Sequence, residues 1–481
     1  MTLGTDLAPQ VLLPGFTGTT VPAWLDDALD AGLAGVCLFA GNVDPGDPHG
    51  TARLTAALRA RRPDLVVALD EEGGVVTRLE APRGSTLPSP AQIGLLPVDA
   101  ATETGALLAA RLRAAGIDLV LAPDGDVNDN PLNPVIGARS FGADPEVVAE
   151  RVAATVMALQ AGGVAACVKH WPGHGDTVVD SHHGLPTVPA QTVERHAAPF
   201  ATAFAAGVAA VMTAHVVVPE WGQTPVTLDA AALGRLRALT DAVIVTDAVD
   251  MAAVAAEAGP GAAAARALAA GADLVCIGNP GLSGIDDEAQ YREVVDAVAA
   301  AIDDGRIPEA RARDAAARVA ALAAAYPAAA ETDGSRPDGS PADGSPAEPD
   351  AATVRSIARA LAEASTADVA SIADAAEVRD GRRGPSMAVA TRARPVVEWL
   401  SEATTRELAA APVGPGRIIV VADRLDDDQR AVIAAAQAQG AAVVVNVGPI
   451  GATAPHPTVE LGADSPLSVR VLQEWLGGAV R

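Results

Sequence analysis

The run KHWPGHGDTVVDSHHG, from Lys169 to Gly184, gathers four of the chain's eight histidines with Lys169, Asp176 and Asp180 in a loop broken by Pro172, Gly173 and Gly175. Three chemistries suit such a set. The histidines and carboxylates could ligate a metal, they could move protons, or they could be the polarity of a solvated loop. Asp180 and His182 stand two apart, close enough to hydrogen-bond in a bent loop. A carboxylate there favours the imidazolium, fixes its tautomer and raises its pKa towards neutrality, which suits a general acid/base near pH 7. Such a dyad needs a nucleophile, and Asp247 in VIVTDAVDM is a carboxylate at the end of an apolar run. For a metal, His174, Asp176, Asp180, His182 and His183 offer ligands, and His215 could join from another segment. The spaced Cys/His and H-E-x-x-H patterns of zinc sites are absent.

The elements that must position these residues are legible. Eight short apolar runs (VLLPGF, GVCLFAGN, LVVALD, DLVLAPDGD, VAACVKH, VAAVMTAH, AVIVTDA, DLVCIGN) alternate with Ala-rich helical stretches. Continuous apolar runs of this length suit strands buried on both faces. One helix is signalled in full: Asp144 as cap, Pro145 at its first position, Gly162-Gly163 at its end. Eight β/α alternations before residue 327 predict an α/β fold, a (β/α)8 TIM-type barrel. Asp70, Lys169, His170, His215 and Asp247 each follow a strand run, which places them on the C-terminal face where barrel active sites form.

Beyond Pro327 the chain reads ETDGSRPDGSPADGSPAEPD, a composition that buries no core and predicts a flexible linker. The expected domains are a catalytic barrel over 1–326, a linker over 327–351 and a small α/β layer domain over 352–481. The last is built from RIIVVADRL, a helix ending at Gly440, and AAVVVNVG. It carries no Gly-rich phosphate fingerprint, and no site residue is expected in it.

A net charge of −26 disfavours nucleic acid and anionic membrane as partners. The N-terminus lacks a basic region followed by an apolar one, and no run reaches the ~18 apolar residues of a spanning helix, so a cytoplasmic protein is expected. Cys37, Cys167 and Cys276 each sit in an apolar run, as buried thiols do. No cofactor is expected.

The stretch KHWPGHGDTVVDSHHGLP closely resembles the signature of glycoside hydrolase family 3, in its β-N-acetylglucosaminidase branch. LLPGF, ALDEEGGVVTR, APDGDVNDNPLNPVIGARSFG, MTAHVVVP and VTDAVDM join it in the family's order. The resemblance implies His182 as proton donor and then base, Asp180 as its partner, and Asp247 as nucleophile with Asp250 as rival. It implies Asp70, Arg78, Arg139, Lys169 and His170 as sugar ligands. His174 is expected to structure the loop and His183 to lie on the surface. Val75 and Trp171 stand where the family often has Arg and Phe. The implied activity is a retaining exo-β-N-acetylglucosaminidase that removes terminal β-linked GlcNAc from peptidoglycan fragments, chitin oligosaccharides or glycoconjugates. Phosphorolysis is the alternative in the same site, since a neutral His base does not repel phosphate and Lys169, Arg139 and Arg78 would add positive potential. Rivals of other classes are a metal-dependent hydrolase and a non-catalytic sugar-binding barrel.

Overall fold

The computed structural model describes residues 2–327 apart from 82, 131–132, 178–183 and 257, together with 349, 351–364, 375–380, 417–422, 442–446, 458–461 and 465–476. Among the described residues eight strands span the N-terminal region, one on each apolar run, with β5 passing the end of its run by one residue: β1 (Leu12–Pro14), β2 (Gly35–Leu38), β3 (Val66–Leu69), β4 (Leu119–Val120), β5 (Ala165–Trp171), β6 (Ala210–Thr213), β7 (Val243–Thr246) and β8 (Val275–Gly278). β2 to β7 lie in sequence order as a curled parallel sheet, and β1 pairs with β8, also parallel. A bridge from Val245 to Leu274 ties β7 to the residue before β8.

Every residue of these eight strands is buried, which is why the runs are continuously apolar rather than alternating. The strands have two faces to cover. On one, Leu13, Cys37, Ala68, Leu119, Cys167, Met212, Val245 and Cys276, one from each strand, form a single apolar cluster closed by Val319 and Leu322. The other packs Val36, Leu38, Val67, Leu69 and their neighbours against the connecting helices. The three cysteines are free and buried. The helix Pro145–Ala161 has the expected limits: Asp144 accepts from the Glu146 N–H at 3.0 Å, and the helix stops at Gly162.

In the C-terminal region, β9 (Ala375–Asp380), β10 (Arg417–Ala422), β11 (Ala442–Asn446) and β12 (Thr458–Glu460) form a parallel sheet in the order β12-β11-β10-β9. The helices Ala351–Ala364 and Pro466–Leu476 pack on each other and bury Val354, Ile357, Leu361, Leu467 and Val471. The Asp/Gly/Ser/Pro repeats of the linker and the helix expected before Gly440 lie outside the described residues. Among the described residues, no helix is long and apolar enough to cross a membrane.

Candidate active site

Two strand ends and two turns bring the expected sugar ligands into one network. Asp70 directly follows β3, Arg78 lies on the turn after it, Arg139 sits on the 3-10 turn Gly137–Arg139 after β4, and Lys169 and His170 lie near the end of β5. Lys169 Nζ stands 2.7 Å from Asp70 Oδ1 and 2.6 Å from Glu72 Oε1. Arg139 donates from Nε and Nη2 to both Glu72 oxygens, at 2.9 and 2.8 Å. Arg78 Nη2 lies 3.4 Å from Asp70 Oδ2. His170 Nδ1 lies 2.7 Å from Asp126 Oδ2, and its Nε2 faces Arg139 Nη2 at 3.4 Å.

Lys169 is only 2% exposed, so its charge depends on those partners. Burial opposes the ammonium, but Asp70 and Glu72 outweigh it and hold its pKa above the usual lysine value. For Glu72 the balance is the same in reverse. Burial raises its pKa, and Arg139 and Lys169 pull it well below the carboxylate range. Burial likewise raises Asp70, and Lys169 and Arg78 bring it below its ordinary value. Asp124 and Asp126 diverge. Burial and then the neighbouring Asp126 push Asp124 well up, against Arg139, while His170 outweighs burial and holds Asp126 down. Paired carboxylates in one dry site separate in this way because both cannot ionise freely.

The nucleophile candidates have different settings. Asp247 directly follows β7, half-buried, and its Oδ1 accepts from the Ala248 N–H at 2.8 Å. Asp250 accepts from Gln290 Nε2 at 3.1 Å, and its carboxyl packs against Gly278. His215 bonds Thr227 Oγ1 through Nδ1 and the Ala248 carbonyl through Nε2, both at 2.9 Å, so it braces the backbone beside Asp247.

The histidine loop is fixed at both ends. The His174 N–H donates to Asp126 Oδ1 at 2.6 Å. Thr177 gives its hydroxyl hydrogen to the His174 carbonyl, so His174 Nδ1, 2.7 Å from the same oxygen, is the donor in that contact. Burial lowers the His174 pKa to about 4, and the ring is neutral. It structures the loop, as expected. Gly175 has a steric reason: a Cβ there would lie 1.8 Å from the Val127 carbonyl oxygen. Beyond the loop, Val188 N–H donates to Val217 O and Val217 N–H to Pro186 O, each at 2.9 Å. Asp180, His182 and His183 fall between these anchors, outside the described residues.

Three buried acids of the candidate site carry little sequence signal. Glu72, Asp124 and Asp126 are buried against the cations of the network, yet DEEGG and APDGD mark them only as acids after a strand. The structure also corrects the expectation that Lys169, Arg139 and Arg78 add positive potential. Asp70 and Glu72 pair with them at hydrogen-bond range or just beyond, and Asp126 stands behind Arg139 through His170. Asp124, Asp126 and His170 bring possible metal-ligand atoms within 4.8 Å of one another. His170 and the His174 N–H bond the two Asp126 oxygens and the Asp126 N–H bonds Asp124 Oδ1, while Asp124 Oδ2 has the Arg139 guanidinium 3.5 Å away but no hydrogen bond.

This arrangement is carried by a known sequence pattern. The model of the glycosyl hydrolase family 3 N terminal domain matches residues 20–322. The chain belongs to glycosyl hydrolase family 3. Within that family it is similar to a beta-hexosaminidase of Bordetella pertussis, 36% identical over 285 residues that cover 56% of this chain and 79% of the relative. A beta-hexosaminidase of Xylella fastidiosa is 37% identical over 291 residues, covering 56% and 84%. The family 3 beta-N-acetylglucosaminidase structure from a Paenibacillus species superposes over 100% of this chain and 97% of its own, with TM-score 0.79 and 28% identity. NagZ from Neisseria gonorrhoeae, solved with N-trifluoroacetyl-D-glucosamine, covers 65% of this chain and 98% of its own, with TM-score 0.51 and 30% identity. This family 3 chain is a glycoside hydrolase.

Proposed function

We propose that the protein is a retaining exo-β-N-acetylglucosaminidase that removes non-reducing terminal β-linked GlcNAc through a covalent glycosyl-enzyme. The observation that carries this reading is the Asp70–Lys169–Glu72–Arg139 network beside a strand-end carboxylate, Asp247. A neutral sugar offers hydroxyls and an acetamido group. Asp70 accepts from such hydroxyls, while Arg78, Lys169 and Arg139 donate to oxygens, each already aligned by its ion pair.

In the proposed cycle, Asp247 attacks the anomeric carbon while His182 protonates the departing oxygen. The glycosidic C–O bond breaks as the Asp247 ester forms. His182, with Asp180 holding its tautomer, then takes a proton from water, which displaces Asp247. The anchored histidine loop and the placement of Asp247 support these roles. Asp250 is the weaker candidate because its carboxyl is taken up by Gln290 and packs against Gly278. The scaffold we infer is a closed (β/α)8 barrel over 1–326. The interior cluster with a residue from every strand supports closure. A linker over 327–351 and an α/β domain over 352–481 follow. Peptidoglycan fragments are the inferred natural source of terminal GlcNAc, with the cytoplasm as the site of action. His170 and the His174 N–H already bond both Asp126 oxygens, which disfavours Asp126 as a metal ligand.

The test is a 2-fluoro-2-deoxy sugar with a good leaving group, followed by peptide mapping. Label on Asp247, and loss of nearly all turnover in Asp247→Ala, is the expected result. Label on Asp250, or turnover with no trapped ester, would defeat the assignment.

A further inference from the structure

We propose that the C-terminal domain sets the geometry of the sugar-binding network through Gln92, a positioning residue on the short helix Pro90–Gly94. Gln92 is 0% exposed. Its Oε1 accepts from the Ser89 N–H at 3.0 Å, and Ser89 Oγ accepts from the Gln92 N–H at 3.2 Å, which caps the helix reciprocally. Its Nε2 turns the other way. It donates to the Leu461 carbonyl at 2.8 Å and to Ser468 Oγ at 3.1 Å, so both amide hydrogens end on the C-terminal domain. Leu461, Ser465 and Ser468 are themselves fully buried, and Ser468 Oγ is held 3.2 Å from Ser465 Oγ. A buried amide whose hydrogens lose their acceptors is expensive, so the bonds tie the two domains in one register.

The opposite side of this helix bears on the network. It packs on the 3-10 turn Gly137–Arg139 that carries Arg139. Gly94 meets Phe141 so closely that a Cβ would lie 1.8 Å from the Phe141 carbonyl oxygen. The helix is thus a five-residue spacer, bonded to the C-terminal domain on one side and pressed on the Arg139 segment on the other. Arg139 in turn fixes Glu72, and Glu72 fixes Lys169. A shift of the C-terminal domain is transmitted along rigid contacts to three groups of the network.

The proposal rests on the reading of that network as the sugar site. The experiment uses the full chain with an aryl N-acetyl-β-glucosaminide and compares wild type, Gln92→Leu, Ser468→Ala and the double variant. The network holds sugar in ground and transition states alike, so KM is the parameter that moves. Gln92→Leu should raise KM about tenfold and Ser468→Ala about threefold, with kcat within about twofold of wild type. The double variant should match Gln92→Leu, because both changes break the same link. A role confined to stability would lower the unfolding temperature and leave KM of the folded enzyme untouched. KM within the error of wild type in folded Ser468→Ala, or effects that multiply in the double variant, would overturn the proposal, and Ser468→Ala decides alone where Gln92→Leu does not fold. A wild-type enzyme with no turnover of the glycoside would count against the sugar reading instead.

Discussion

Glu71 makes the sharpest quantitative forecast. It lies between Asp70 and Glu72, 2% exposed, and its Oε2 accepts from the N–H groups of Arg78 at 2.7 Å and Leu79 at 2.9 Å. Burial lifts its pKa from 4.5 to about 7, and the bonds from Thr77, Leu79 and Arg78 offset only part of that. In the unfolded chain the same carboxyl releases its proton near 4.5. Between these values the unfolded state loses a proton that the folded state keeps. The group's contribution is therefore complete below 4.5 and lost as pH rises to about 7. At ~1.36 kcal/mol per unit, the loss is about 3 kcal/mol. Glu71→Gln keeps an oxygen for the two N–H groups and places amide hydrogens near the Thr77 hydroxyl, and it does not titrate. Reversible urea unfolding at several values between pH 4.5 and 7.5 reads the difference. The stability of Glu71→Gln relative to wild type should rise by about 3 kcal/mol across that window. Parallel curves would show that Glu71 is ionised in the folded protein and would refute the argument from burial.

Glu72→Gln removes the charge shared by Arg139 and Lys169 and should destabilise the protein by about 3–5 kcal/mol at pH 7 in chemical denaturation. A loss below about 1 kcal/mol would mean that neighbouring carboxylates take over. Because the Glu72 pKa is depressed, its contribution is present above 4.5 and fades as pH falls below that value, so the two variants move oppositely with acid. His182→Ala should slow glycosides with poor leaving groups by about 10²–10⁴-fold and activated aryl glycosides far less. Equal losses on both would make His182 structural. Millimolar phosphate should leave the product as free sugar, read by product analysis, because the site's cations are matched by carboxylates. Sugar 1-phosphate as a major product would revive phosphorolysis.

The strands were legible because two-sided burial forces unbroken apolar runs, and each of the eight runs carries one. The site residues at their ends were legible for a related reason: a polar side chain after such a run has only the strand-end face to occupy. What escaped is long-range pairing. Glu72 and Arg139 are 67 residues apart, and Gln92 meets Leu461 and Ser468 across 369 and 376. No local pattern marks a carboxylate that will be buried between two cations. Nor does one mark a glutamine whose hydrogens will end on the C-terminal region. Reading Lys169, Arg139 and Arg78 as surplus positive charge failed for the same reason, since their partners are fixed only by the fold.

The charge balance has a mechanistic meaning. Arg78, Arg139 and Lys169 face ionised Asp70 and Glu72 and, through His170, Asp126, while Asp124 is pushed towards its neutral form. In the proposed cycle the anomeric carbon gains positive charge as the leaving group departs. An unmatched cation ~5 Å from that carbon would oppose it by about 3 kcal/mol at an effective dielectric near 20. Three such cations would offset much of what Asp247 contributes. Matched to buried carboxylates, the same groups still donate hydrogen bonds to sugar oxygens, and their mutual attraction holds them aligned before substrate arrives. In that proposed cycle the network would recognise a neutral sugar without opposing the charge that Asp247 must stabilise. This is also why Glu72, which no hydrogen bond to substrate requires, lies at the centre of the site.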